Sequence, residues 1–511
     1  MPHAQTTETL VGFVEHHERH RPDDVALHYG DRQWTWAQWA ARIRQAAGAL
    51  RAAGVQRGQC VAFLDKNHPG CLETLIAAVS IGAVTTIPNW RMTGEELAHV
   101  LDDSGAQLLF VGAEFKDRVP GLPRMVVVGG EADEYESWLA AATPVATDPG
   151  MDPNDSALVI YSSGTTGRPK GVVLSQQALV NHIVNMAPPF PFEDGDANLV
   201  AMPLFHVGGV SYSFFGIMAG APTFLTREPE AATLVGAVKA GATHAFFVPP
   251  VITRFLDAGD AAIDAISGLR YLVYGAAPMP LPLLQRALEA WPQMNFIQVY
   301  GQTELCGGIT ALDADDHRDS DRQHLLLSAG KAFPGNEIRI VNPETGEQLP
   351  AGEPGEIWVH SNQRMTGYLN REQATADTIT AGDWLRTGDI GRLDADGYLY
   401  IEDRLKDMII TGGENVYGPE VESVLIEHPA ITDAAIIGVP DDFWGESVKA
   451  IVVATTDIEP DEIIEFCRAH LAGYKCPRTV DFVEALPRNA SGKILKTELR
   501  QPYWQDRARK V

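Results

Sequence analysis

Short apolar runs alternate with stretches in which apolar residues recur every three or four positions, and this rhythm carries most of the chain. Val25-Ala-Leu-His-Tyr29 and Gln33-Trp-Thr-Trp36 flank Gly30-Asp31, which predicts a strand–turn–strand hairpin. Ala40, Ile43, Ala47 and Leu50 then recur at helical spacing. Val61-Ala-Phe-Leu64 and Leu108-Leu-Phe-Val111 read as strands, and between them Thr93-Gly-Glu-Glu96 is a capping box opening a helix that carries Leu97, Val100 and Leu101. The alternation predicts open α/β layers with parallel strands. From 156 onward the apolar runs Ala245–Val248, Tyr271–Tyr274 and Phe296–Tyr300 are each followed closely by glycine or proline. In such sheets the binding crevice lies beyond the carboxyl ends of the strands.

From about 330 to 400 the texture becomes glycine-punctuated β, with runs at Glu337–Val341, Gly355–Val359 and Tyr398–Ile401. A tail from about 407 combines a helix over 420–427, strands over 434–437 and 448–454, and a helix over 461–471. The expected class is therefore α/β: a large, multi-subdomain N-terminal body with layered α/β sheets and a β subdomain, plus a small α+β C-terminal domain. The expected boundaries are 1–403 for the body, 404–406 for a hinge and 407–511 for a mobile tail.

The 511 residues carry 67 acidic against 40 basic side chains, a formal charge of −27, which argues against nucleic-acid and acidic-membrane surfaces. An acidic protein that binds polyanions must gather its few cations locally. Five scattered cysteines without a C-x-x-C pair suggest neither a disulfide framework nor a zinc site, and fit a reducing cytoplasm. No signal peptide is legible, and no apolar run reaches the roughly 18–20 residues of a membrane span.

The densest chemistry lies in Tyr161-Ser-Ser-Gly-Thr-Thr-Gly-Arg-Pro-Lys-Gly171, between the apolar runs 157–160 and 172–174. Ser162, Ser163, Thr165 and Thr166 offer hydroxyls, Gly164 and Gly167 expose backbone N–H groups, and Lys170 adds a point charge. Concentrated donors beside a cation suit a polyphosphate. On these residues alone an ordinary surface loop is an equal reading. The loop is not a Walker motif, because Lys170 lies between Pro169 and Gly171, and no Rossmann glycine fingerprint follows a strand.

The loop resembles the phosphate-binding signature of the adenylate-forming, AMP-binding enzyme superfamily, which includes acyl-CoA synthetases. Further segments are similar to that family's motifs: Pro203-Leu-Phe-His-Val-Gly-Gly209, Gly275-Ala-Ala-Pro278, Tyr300-Gly-Gln-Thr-Glu304, Thr387-Gly-Asp389, Asp403-Arg-Leu-Lys-Asp407, Thr411-Gly-Gly-Glu-Asn-Val-Tyr417 and Pro487-Arg-Asn-Ala-Ser-Gly-Lys493. The resemblance covers essentially the whole chain. It departs at Tyr417-Gly418-Pro419, where the proline stands one residue later than the family usually has it, leaving the local helix start uncertain.

The resemblance implies roles. ATP would be held by the loop residues with Lys170, by Gly275, Ala276 and Ala277 at the adenine, and by Tyr300, Gly301 and Thr303. Asp389 would take the ribose hydroxyls, and Arg404 would reach the nucleotide. Glu304 would hold Mg2+. His206, Val207, Gly208, Gly301 and Gly308 would line the acyl pocket, with His206 gating the incoming thiol. Gly412, Gly413 and Lys475 would meet coenzyme A, Lys406 would be the hinge, and Lys493, Thr303, Glu304 and His206 would serve catalysis. The implied activity is ATP-dependent ligation of a monocarboxylic acid, aliphatic or aryl, to coenzyme A through an acyl-adenylate. Alternatives are an adenylate-forming enzyme that delivers to a carrier protein, which the absence of an attached carrier-like domain disfavours, and a non-catalytic nucleotide-binding protein. The implied partners are the acid, ATP and coenzyme A, and a homodimer is allowed.

Overall fold

The computed structural model describes residues 9–119, 124–131, 133–162, 169–412, 414–441, 443–488 and 493–505. Among them the strands form four sheets. A seven-stranded sheet runs in the order Gly367–Tyr368, Lys170–Ser175, Ser156–Ser162, Val84–Thr86, Cys60–Leu64, Leu109–Gly112, Met125–Val128. From Ser156–Ser162 onward its neighbours are parallel, as expected. The phosphate-type loop instead joins antiparallel neighbours, with Ser162 opposite Lys170. A nine-stranded sheet has a parallel interior comprising Asn295–Gln302, Tyr271–Gly275, His244–Phe247, Asn198–Val200, Thr223–Leu225 and Val25–Tyr29.

The two sheets share one core. The helices Pro69–Ser80 and Val207–Ala219 are apolar around nearly their whole circumference, so they are buried on all sides. Their residues join the same hydrophobic cluster as strands of both sheets. The remaining elements follow from local chemistry. Thr35 caps the helix Trp36–Ala52 by accepting from Gln38 N, while Gln38 Oε1 accepts from Thr35 N at 2.9 Å, so Trp36 begins a helix rather than ending a strand. The box predicted at Thr93 is complete, with Glu96 accepting from the Thr93 backbone at 2.7 Å.

The β texture after 330 becomes a four-stranded antiparallel sheet, Asn336–Val341, Gly355–Ser361, Trp384–Leu393 and Leu399–Arg404. The tail builds a five-stranded sheet around Ile431–Asp441 and Gly445–Ala454. Its helices Gly418–Ile426 and Pro460–His470 pack on a core of their own that includes Val421, Leu425, Ile436 and Val452. Tyr417 precedes the first of these helices and Pro419 falls in its first turn, where a missing N–H costs nothing, which settles the helix start. The sequence reading missed a parallel edge strand, Thr479–Phe482, and a final helix, Lys496–Trp504.

Candidate active site

The carboxyl ends of the parallel strands and the strand Leu399–Arg404 bring the sequence-predicted residues together. Asp389 and Arg404 are register partners on adjacent strands. Arg404 Nε meets Asp389 Oδ1 at 2.6 Å, and Tyr300 donates its hydroxyl to Asp389 Oδ2 at 2.7 Å. Thr387 fixes the approach: its hydroxyl donates to Ile357 O and accepts from Asp389 N. Burial, followed by the Asp389 charge, pushes the Tyr300 hydroxyl pKa far up, so it remains a donor. Both carboxylate oxygens are thus engaged, and ribose hydroxyls would replace or share these donors.

Lys493, at the far end of the sequence, enters the same cluster. Its neighbours by charge are Arg404, Asp389, Asp407 and Lys406. Loss of water around the ammonium, with the Arg404 guanidinium beside it, lowers its pKa to about 8. Lys406 is likewise pulled below the ordinary lysine value by burial. Three cations facing two aspartates, within a protein of charge −27, make a local seat for an anion.

A second group forms around Tyr368, which the sequence reading did not single out. Its hydroxyl donates to Glu304 Oε1 at 2.7 Å, and Lys170 Nζ lies over its ring at 5.1 Å. Glu304 and Thr303 occupy a single helical turn, Thr303–Leu305, after the strand Asn295–Gln302. Glu304 fits Mg2+: it offers a hard carboxylate oxygen beyond the one that Tyr368 holds, beside the lysine at the loop's end. Mg2+ takes one or two carboxylates plus substrate phosphates and waters. No cluster of three ligating side chains occurs among the described residues.

Gly275 and Gly301 turn out to be small for packing reasons. A β-carbon on Gly275 would collide with Val299 O on the next strand, and one on Gly301 would collide with Gly307 O across a tight antiparallel turn. Ala276 follows with φ of 64°, an outlier for an alanine that marks a constrained backbone at the predicted adenine edge. Ala276 and Ala277 together form the bend that follows the strand. His206 caps the buried helix Val207–Ala219 beside Phe205, whose ring lies 4.5 Å away. Burial and nearby Arg91 lower the His206 pKa to about 4, so its ring is neutral. Arg91 itself stacks on Trp90 at 4.2 Å and reaches Phe205. Val207 and Gly208 open the helix, and Gly208 faces Phe246.

The coenzyme A candidates lie apart from this centre. Gly412 turns between the strands Ile409–Thr411 and Glu414–Val416 with φ of 60°, against the Trp444 ring. Lys475 Nζ is paired with Glu420 at 2.6 Å. Ser162 ends its strand in place. Ser163, Gly164, Thr165, Thr166, Gly167 and Gly413 lie outside the described residues. No signal at the level of single residues pointed to Tyr368, Trp90 or Arg91, because each acquires meaning only from what it touches.

Residues 14–369 match the family model described as AMP-binding enzyme, and 420–493 match the AMP-binding enzyme C-terminal domain. The chain is 35% identical to the fatty acid–[acyl-carrier-protein] ligase ScoC of Streptomyces coeruleorubidus, covering 100% of this chain and 99% of that one. It is 37% identical to a feruloyl-CoA synthase of an Amycolatopsis species, covering 95% and 97%. Among solved structures, o-succinylbenzoate CoA synthetase of Bacillus subtilis with its acyl-adenylate intermediate superposes with a TM-score of 0.84 at 30% identity, over 98% of both chains. The same enzyme with ATP and a magnesium ion gives 0.83 at 29% identity, over 95% of this chain and 98% of that one.

Proposed function

The chain belongs to the AMP-binding enzyme family, and from that premise we propose how it works as an AMP-forming carboxylic acid–CoA ligase on a monocarboxylic acid, aliphatic or aryl. The observation that carries the proposal is the arrival of Lys493 beside Asp389 and Arg404, which joins the two ends of the family's motif series in one charged cluster. ATP and coenzyme A are the co-substrates.

In the first step an oxygen of the acid attacks the α-phosphorus of ATP, and pyrophosphate leaves. Asp389 holds the ribose, Tyr300 stacks on the purine, and Arg404 meets the nucleotide. Lys493 neutralises charge growing on the α-phosphate and on the attacking carboxylate. Preorganised charge of this kind is commonly the largest catalytic contribution. Lys170 and the loop 162–167 hold the departing pyrophosphate. Glu304 would hold Mg2+, with Thr303 beside it, and the ion supplies charge neutralisation among the phosphates when bound.

In the second step the coenzyme A thiol loses its proton, its sulfur attacks the acyl carbon, and AMP leaves. The neutral His206 ring gates the thiol's path rather than serving as its base at the acyl carbon. For this step the tail, 407–511, turns about Lys406 relative to the body, 1–403. That motion withdraws Lys493 and brings Gly412, Gly413 and Lys475 toward the pantetheine and nucleotide. Five buried free thiols suit a reducing compartment, and the proposal sets the enzyme in the cytoplasm.

ATP–pyrophosphate exchange over a panel of acids tests the reading. Exchange with monocarboxylic acids, followed by thioester formation with coenzyme A, is expected; no exchange with any acid would overturn it. Full-length likeness to a carrier-protein ligase favours one second reading, transfer to a carrier phosphopantetheine. Exchange without a coenzyme A thioester, together with acylation of a carrier protein, would replace the first reading by the second.

A further inference from the structure

The helix Gln176–Met186 packs on the strand Gly307–Leu312 and on the helix Val207–Ala219. It carries a polar group that the reaction as described does not use. His182 is 1% exposed and Gln363, its neighbour, is 0% exposed. Gln363 Nε2 lies 2.8 Å from both Leu305 O and Gly308 O and 2.9 Å from His182 Nδ1. Gln363 Oε1 accepts from Asn185 Nδ2 at 3.0 Å and from Asn336 Nδ2 at 3.3 Å.

This network fixes the amide's orientation, since the nitrogen faces two carbonyls and the oxygen faces two amide donors. Nδ1 is the ring atom that meets this network, and Nε2 faces away from it. Burial lowers the ring's pKa to about 3, so it is neutral throughout the working range. Its Nε2 has no hydrogen-bond partner among the described residues. A buried donor or acceptor left unmade costs about 1–3 kcal/mol, and such a group in a native fold calls for a reason.

Direction supplies the reason. The Nε2 and Cε1 atoms lie 2.9 Å from the point where a β-carbon on Gly307 would stand, and Ser211 Oγ lies 3.3 Å from the same point. Ser211 is one helical turn beyond Val207, and Met186, one turn beyond His182, abuts Gly308 in the same way. Nε2 is thus aimed at the seam between Val207–Ala219 and Gly307–Leu312, the seam that the acyl pocket occupies in the ligase reading.

We propose that His182 determines acid specificity: its Nε2 hydrogen-bonds to a hydroxyl at the end of the acid remote from the carboxylate that is adenylated. The inference rests on the ligase reading and narrows its substrate class. An ionised second carboxylate is disfavoured there, because Met186, Phe215 and Ser211 around the ring offer no positive charge and an unpaired buried anion is costly.

The test is ATP–pyrophosphate exchange by the full chain with matched acids, 3-phenylpropenoic acid with and without a 4-hydroxyl and a medium-chain alkanoic acid with and without an ω-hydroxyl. The oxygenated member of at least one pair should lead by about tenfold or more in kcat/KM, because a site built to bond an oxygen rejects the analogue that lacks it. His182→Phe keeps a ring there and leaves Gln363 its two carbonyls. It should collapse the ratio to about unity. Exchange with no preference in either pair, or a preference that survives in His182→Phe, overturns the proposal. Should that variant not fold, the ratio in the unmodified chain decides alone. Absence of exchange with every acid would strike the ligase reading instead, so the two failures are distinct.

Discussion

Lys493 shows how much one side chain's surroundings set its chemistry. A lysine near a chain end is ordinarily a solvated charge, yet here it sits among Arg404, Lys406 and two aspartates with a pKa near 8. Its folded-state value lies below the ordinary one, so the ammonium is complete a unit below 8 and is lost as the pH rises through it. Because kcat/KM reports groups of the free enzyme, exchange measured against the acid should fall above about pH 8. Lys493→Arg, whose charge persists, should move that limb upward. A profile flat through the alkaline range would contradict this role. Tyr368 lends itself to a similar argument. Its hydroxyl orients Glu304, and removing a group that orients a metal ligand typically weakens binding about 10–100-fold. Tyr368→Phe should therefore raise the Mg2+ concentration giving half-maximal exchange, while keeping the ring beneath Lys170. An unchanged Mg2+ titration would remove Tyr368 from the site.

Among the elements, the tight pairing of Asn295–Gln302 with Gly307–Leu312 presents Thr303 and Glu304 and sets the wall that His182 faces. Gly301→Ala would drive a methyl into Gly307 O, forcing the turn apart. The expected result is a lower melting temperature together with loss of exchange; a variant as stable and active as the parent would show that the turn tolerates displacement. Much at this scale was legible beforehand. The hairpin at Gly30-Asp31, the box at Thr93 and the short parallel strands carry local signals, and their burial follows the pattern of apolar residues. Thr479–Phe482 escaped notice because it alternates around a single buried residue, Val480. Lys496–Trp504 escaped because it contains Pro502 and buries chiefly Arg500. The site was readable where a motif names its residues. It was opaque at Tyr368, Gln363 and His182, whose meaning comes from partners far along the chain.

Across the whole molecule, polar contacts around the proposed hinge join the tail to the body. Gly418 N donates to Asp403 Oδ2 at 2.8 Å, and Arg500 donates to Lys406 O at 3.1 Å. Contacts at element ends suit a joint that must open, since hinges are element-terminal residues that absorb backbone rotation. Lys406→Pro, which fixes φ, should depress thioester formation far more than adenylation. Equal loss of both would place the hinge elsewhere. The central claim is that the two chemical steps use different faces of the tail, with Lys493 serving only the first. The most direct measurement assays the half-reactions separately in Lys493→Ala. The account predicts that acid-dependent ATP–pyrophosphate exchange falls by about two to three decades, the usual loss for one such contact, while preformed acyl-adenylate and coenzyme A still give thioester at close to the parent rate. Parallel loss of both half-reactions, or retention of exchange, would contradict it.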